Sequence, residues 1–324
     1  MESYEEDIAG NLAAGNYNRA WQLAEVNLKS FPIDKKNSRQ YKEAEEAYIF
    51  SKFFFHRQER IKLTPNNYER ARLFVDFLRE VDEIRKEKDF SLYSENSILP
   101  VVYHIIHVHI ADGFAKAFAG QKTFQLNQEE IIQLAISLIE IKNWQSAKDS
   151  LLFMLKANPK HAIYNFLLSF VCFQNKEEEN FLIYLREALF INPDIIKNYK
   201  KYLPDGIFQN IWENIENQNY SENIKYRYYA LLLEAHGLFS KKKEITNREL
   251  KKIEEDFEKL YNQFQSSANS TIISEIKPRI MHFLCWLIYY FSQFNIVSSV
   301  ERYKSILKNL DSEIYKLFID NNSL

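Results

Sequence analysis

The sequence predicts an all-α fold made of antiparallel helix hairpins, and three observations carry that reading. Average usage over a chain this long would supply about 23 glycines and about 16 prolines, yet it has 6 and 7, which leaves little turn material for many short strands. Apolar residues recur at three- and four-residue spacing rather than alternating, so they line helix faces and not the two sides of a pleated strand. Prolines and asparagine-rich breaks cut the chain into segments of roughly 12 to 25 residues, and connections this short force most neighbouring helices to pack antiparallel. With 46% apolar and 27% charged side chains, the chain can both bury a core and solvate a surface.

Helices are expected over 3–15 and 18–30, a pair closed by Pro32, then over 38–62 and 66–88, parted by Pro65. The next runs over 98–118. Its stretch from Pro100 to Phe118 is apolar around most of its circumference, which marks a helix buried on several sides. Helices over 128–141 and 144–157 are closed by Pro159, and those over 161–173 and 177–190 by Pro193. Two more, over 205–217 and 221–238, follow Pro204. In 246–265 Leu250, Ile253, Phe257 and Leu260 form one stripe with charges elsewhere, as on a surface helix. The last three span 271–293, 296–309 and 311–320. This divides the chain into an N-terminal helical region over 1–125, a repeated pair over 126–194 and a C-terminal helical region over 195–324.

The repeat shows in the tails LKANP and LFINP, whose prolines, Pro159 and Pro193, stand 34 residues apart. At the same offset Leu134, Ala135, Leu138, Ala147, Leu151 and Met154 align with Leu168, Ser169, Cys172, Phe181, Leu185 and Ala188. Each position is apolar or small in both copies. A pair of amphipathic helices cannot bury its apolar stripe alone, so small residues at the crossing allow close stacking of the next pair. Proline then stops the second helix at a fixed point.

This pattern resembles the tetratricopeptide repeat, a 34-residue helix-turn-helix unit with small residues at the crossing and proline at its end. Lys142-Asn143-Trp144 through Ala147 and then Pro159 carry the likeness, as do Gly15-Asn16-Tyr17-Asn18-Arg19-Ala20 and then Pro32. Hairpins at 1–34, 128–160 and 161–194 resemble such units and cover about 100 of the 324 residues. Pro65 keeps the spacing, but the helix before it carries Phe53, Phe54, Phe55, Arg57 and Arg60 where small residues belong. Beyond Pro193 the period fades. The resemblance implies an α-solenoid whose first helices line a concave surface that binds peptides or partner segments. That surface would carry Glu129, Ile132, Gln133, Ile136, Ile139 and Glu140, then Ile163, Phe166, Leu167, Phe170 and Phe173. Family members that capture a terminal carboxylate use lysine, arginine and asparagine at such positions. Here Ile and Phe predominate, and a surface this apolar must be covered by a partner or by the chain itself. The apolar segment over 98–118 is one candidate cover.

Several function classes are disfavoured. With 42 basic and 44 acidic side chains the formal net charge is -2, so no overall positive field draws in nucleic acid or an anionic membrane. Neither glycine-rich phosphate-binding motif occurs. Cys172 and Cys285 stand in apolar surroundings, as packed thiols rather than a disulfide or thiolate metal site. The acidic opening lacks the pattern of a secretory signal, which points to the cytoplasm. The longest apolar windows, Val101 to Ala111 and Ile280 to Phe291, fall short of the roughly 20 residues a bilayer requires and read as buried helices.

His104, His107 and His109, with Asp112 beyond, form the one cluster suggesting metal chemistry. At about 100° per residue His104 and His107 are neighbours while His109 points away, so one ion would need ligands from another helix. The acidic runs Glu177 to Glu179 and Glu254 to Asp256 read as solvated faces, and Lys241 to Lys243 as a solvent-facing turn. The expectation is a non-catalytic scaffold holding another protein, or an apolar peptide or helix, without cofactor, metal, nucleic acid or membrane span. Its partner-binding residues would be Glu129, Ile132, Gln133, Ile136, Ile163, Phe166, Phe170 and Phe173. The alternatives are a metal-dependent helical enzyme, a hydrolase using the His104 and His107 segment, and a structural subunit of a larger assembly, including a homo-oligomer.

Overall fold

A computed structural model describes residues 3–32, 35–36, 38–91, 96–120, 126–239 and 242–322. Among them are 16 α-helices and no strand. The chain divides into two compact units, residues 1–147 and 148–324.

The first unit contains α1 (Ser3–Ala13), α2 (Tyr17–Lys29), α3 (Arg39–Leu63), α4 (Tyr68–Lys88), α5 (Leu99–Gly120), α6 (Gln128–Glu140) and the start of α7 (Trp144–Ala157). Consecutive helices pack together from α1 to α3 and from α4 to α6. The aromatic run of α3 that breaks the small-residue rule is core: Phe53 meets Phe77 of α4 at 5.4 Å, and Phe54 stacks on Tyr17 of α2 at 5.2 Å. Gly113 lets α5 approach α4, since a Cβ there would lie 2.5 Å from the Asn67 carbonyl oxygen. Glu46 of α3 caps α5 from outside, its Oε1 accepting from the Ile98 amide at 2.8 Å and the Ser97 hydroxyl at 2.7 Å. These bonds satisfy donors that a helix start leaves unpaired. Burial nevertheless raises the Glu46 carboxyl above its ordinary range, with the hydrogen bonds opposing.

In the second unit follow α8 (Ala162–Gln174), α9 (Glu178–Ile191), a short 3₁₀ turn at Pro193–Ile195, α10 (Ile196–Tyr199) and another 3₁₀ turn at Lys200–Tyr202. Then come α11 (Ile207–Glu216), α12 (Glu222–Ala235), α13 (Asn247–Ser266), α14 (Ser270–Gln293), α15 (Val297–Leu310) and α16 (Ser312–Asn322). The core gathers on α14, which packs against α12, α13 and α15 and is buried almost continuously from Ile280 to Ile288. Asn127 with Glu130 and Thr246 with Glu249 form capping boxes that start α6 and α13.

Four hairpins share one turn. Gly15, Lys142, Lys176 and Asn295 each adopt positive φ, between 55° and 76°. One residue later, the amides of Asn16, Asn143, Glu177 and Ile296 donate back to the carbonyls of Asn11, Leu138, Cys172 and Phe291. This is the left-handed helix ending with its six-to-one hydrogen bond. The next helix begins at the following residue in all four cases, at Tyr17, Trp144, Glu178 and Val297. Of the twelve residues aligned at the 34-residue offset, eleven are buried and Met154 is half-buried.

An Arg and a Glu occupy the second unit's interior. Arg186 of α9 and Glu234 of α12 are 1% and 0% exposed at the side chain and ion-paired at 2.8 Å. Arg186 Nη1 also donates to the Tyr290 hydroxyl at 3.0 Å, and its guanidinium lies 3.7 Å over the Trp286 ring. Lys242 is a correction to the solvent-facing turn expected over 241–243. Its side chain is 4% exposed, with Nζ 3.7 Å from Glu234 and 3.4 Å from the centre of the Tyr289 ring. Lys241 lies outside the described residues.

Candidate functional site: an apolar groove beside α8

The helix-forming segment after Pro159 starts on a His161 cap, whose Nδ1 accepts from the Tyr164 amide at 3.3 Å. Its residues are apolar on nearly every side, and nine of its thirteen are buried. One face packs on α9. Another meets the segment after Pro193, where Tyr199 lies 6.1 Å from Phe166 and Tyr202 lies 5.0 Å from Phe170 between ring centres. The chain thus covers part of its own Phe stripe, with residues 196–202 as the cover within this unit.

Coverage stops near the C-terminal end of α8. A groove of about 1050 Å³ opens there, lined by Phe170 and Phe173 of α8, Phe181 and Leu182 of α9, and Ile207 and Phe208 of α11. Phe173 is 42% exposed and Ile207 47% exposed. The rings are held from behind, with Phe181 5.3 Å from Phe173 and 5.6 Å from Phe208. Gly206 takes φ 77° at the turn from Pro204 into α11, a conformation open to glycine at little steric cost. Lys176, Glu178, Lys201 and Asp205 form a mixed-charge rim. An apolar floor with a polar rim suits capture of an apolar segment whose flanks remain in water.

The expected partner-binding residues meet different fates. Phe170 and Phe173 line the groove, Ile163 is half-buried, and Phe166 is 1% exposed and belongs to the core. In the first unit, Glu129 is exposed and pairs with Arg79 at 3.3 Å, while Ile132, Gln133 and Ile136 are half-buried on α6. The helix over 98–118, expected as a cover, is α5 and packs against α6, where His107 Nδ1 stands 3.1 Å from Ser137 Oγ.

The histidines of α5 disperse. His104 is exposed, His107 is buried beside Ser137, and His109 stacks on Phe74 at 4.1 Å between ring centres. Burial lowers the His109 imidazole below its ordinary value. Among the described residues, no three His, Cys, Asp or Glu side chains are placed to hold a metal ion together. Both cysteines are buried and unpaired, and burial raises the Cys172 thiol to about 12. No described helix is long and apolar enough to cross a membrane.

Sequence periodicity finds Phe170 and Phe173, because with Ile163 and Phe166 they recur at three- and four-residue spacing along one stripe of the helix. It misses Ile207, Phe208 and the covering tyrosines, which lie past the last recognisable repeat. The paired prolines Pro193 and Pro204 are the local signal that the chain turns there rather than continuing a long helix. Comparison of the chain with protein-family models, curated proteins and solved structures finds no match.

Proposed function

We propose that this protein is a non-catalytic helical scaffold of the tetratricopeptide-like kind, which holds an apolar segment of another polypeptide in the groove beside α8. The observation that carries the reading is the exposure of Phe173 and Ile207 across a wide groove whose remaining aromatic wall is packed and preformed. Exposed large apolar side chains that converge on one concavity, rather than scattering, mark a contact surface. The recurrent turn at Gly15, Lys142, Lys176 and Asn295 supports a chain built from repeated hairpins. Two buried, unpaired cysteines suit a reducing compartment such as the cytoplasm.

Recognition would rest on two or three apolar anchors entering between Phe173 and Ile207, with the rim charges fixing direction. Random peptides of about 12 residues displayed on phage provide the test. Selection on the wild-type protein should enrich sequences with aromatic or branched anchors. Phe173→Glu with Ile207→Glu should lose those peptides while keeping the helical circular dichroism spectrum. No enrichment, or enrichment that survives the double substitution, removes the groove from consideration.

A further inference from the structure

A second cavity in residues 148–324, separate in residues and chemistry from the groove, carries an inference of its own. It offers about 200 Å³ among α9, α13 and α14 and opens on one side to solvent. Spacing explains the wall: Arg279, Phe283 and Trp286 stand at i, i+4 and i+7 on α14 and therefore share one face. Phe190 of α9 and Ile253 of α13 complete the apolar lining. A cavity of about 150 Å³ accommodates a benzene-sized guest, so this one has room for a single ring or a short branched chain bearing one small polar group.

Three residues that line this cavity carry buried polar atoms without a partner among the described residues. Trp286 is 1% exposed, clamped between the Phe190 ring and the Arg186 guanidinium, each centred 3.7 Å away, and its Nε1 donates to nothing. Arg279 donates through Nη2 to the Phe190 carbonyl, but its Nη1 is buried without an acceptor. Glu187 leaves Oε1 unpartnered, while its Oε2 stands 3.9 Å from Lys243 Nζ. Buried polar groups are ordinarily satisfied, so unfilled donors beside a cavity call for an acceptor inside it. The lining is basic in balance: Lys160, Lys243, Lys252 and Arg279 outnumber Glu187, Glu249 and Asp256. Burial also raises the Glu187 carboxyl above its ordinary value, with Lys243 and Arg186 opposing.

We propose that this cavity binds a small monocarboxylic acid with a ring-sized or branched apolar body, the carboxylate accepting from Arg279 Nη1 and Trp286 Nε1 while the body rests against Phe190, Phe283 and Ile253. A charged acceptor suits a guanidinium better than a neutral one does.

Protein labelled with 5-fluorotryptophan tests this by fluorine NMR, the Trp286 resonance being identified by its loss in Trp286→Phe. Phenylacetate, benzoate and isovalerate are titrated separately, with phenylacetamide as the uncharged counterpart of the first. At least one acid should move the Trp286 signal saturably, and phenylacetamide should bind about ten-fold more weakly than phenylacetate or worse. Arg279→Gln should erase that difference. If Arg279→Gln fails to fold, Ile245→Trp, which narrows the cavity at a half-buried lining position, must weaken binding instead. Three acids without a saturable shift, equal binding of phenylacetamide, or unchanged binding in Ile245→Trp overturns the proposal.

Discussion

Arg186 and Glu234, 48 residues apart, form a two-pronged ion pair in the interior, with Nε to Oε2 at 2.8 Å and Nη2 to Oε1 at 2.9 Å. Removing one partner strands the other charge away from water, a change that costs about 3–5 kcal/mol. Glu234→Leu and Arg186→Met should each lower the urea midpoint accordingly. The double substitution should recover much of the loss, because an apolar pair of similar volume no longer contains an unpaired ion. Strictly additive losses in the two single variants would show that the pair is not coupled.

Lys242 shares that carboxylate, yet burial holds its ammonium down to about 8 from the ordinary 10.5, with Glu234 opposing the shift. Between those values the unfolded chain binds a proton that the folded one has released, so stability should rise with pH across that window. The rise attributable to this residue is at most about 3 kcal/mol. Urea unfolding of wild type and Lys242→Met at several pH values from 8 to 10 checks it. The difference between the two proteins should move in favour of wild type as pH increases, and a flat difference would rule the effect out.

Phe166 and Phe173 stand seven residues apart on the same helix but at 1% and 42% exposure. Phe166→Ala should destabilise by about 3–5 kcal/mol, as large-to-small changes do in packed cores. Phe166→Glu should prevent folding. At the exposed site Phe173→Glu should change stability by about 0.5 kcal/mol or less while abolishing peptide capture. Thermal melts combined with the peptide selection distinguish the two residues.

Gly237 ends α12 at φ 67°, and a Cβ there would lie 2.5 Å from the Asn321 carbonyl oxygen of α16. Gly237→Ala therefore meets both an unfavourable backbone conformation and a backbone clash. Its expected cost is about 1–3 kcal/mol. Differential scanning calorimetry should show a lowered melting temperature, whereas Gly10→Ala, with nothing within 4 Å of the added carbon, should not.

For the histidines of α5 the expected outcome is negative. Protein purified without a histidine tag should contain zinc well below one equivalent, and His104→Ala with His107→Ala should leave that content unchanged. Stoichiometric zinc that disappears in the double variant would reinstate the metal-dependent reading.

Helix positions were the most legible part of the fold. Apolar periodicity and prolines locate fifteen of the sixteen helices to within a few residues, because each helix must turn one continuous stripe inward. The four-residue α10 escapes that criterion, being too short to show a period. Asn295 was also hidden as a turn signal: it adopts the same left-handed geometry as Gly15, but no glycine and no following proline advertise it. The Phe face of α8 was visible as apolar, while its division into a covered half and an open half depends on Tyr199 and Tyr202 folding back. Likewise, no local pattern tells that Arg186 will find Glu234, since a charged residue in an amphipathic helix reads as solvated until its distant partner is placed.

The folding-back of Tyr199 and Tyr202 has a practical consequence for anyone cutting the chain. Pro193 is an inviting place to stop an expressed fragment, because the recognisable repeat ends there. Such a fragment would be born with Phe166 and Phe170 stripped to solvent and should aggregate, whereas truncations have to respect a boundary set by aromatic lids from later in the polypeptide.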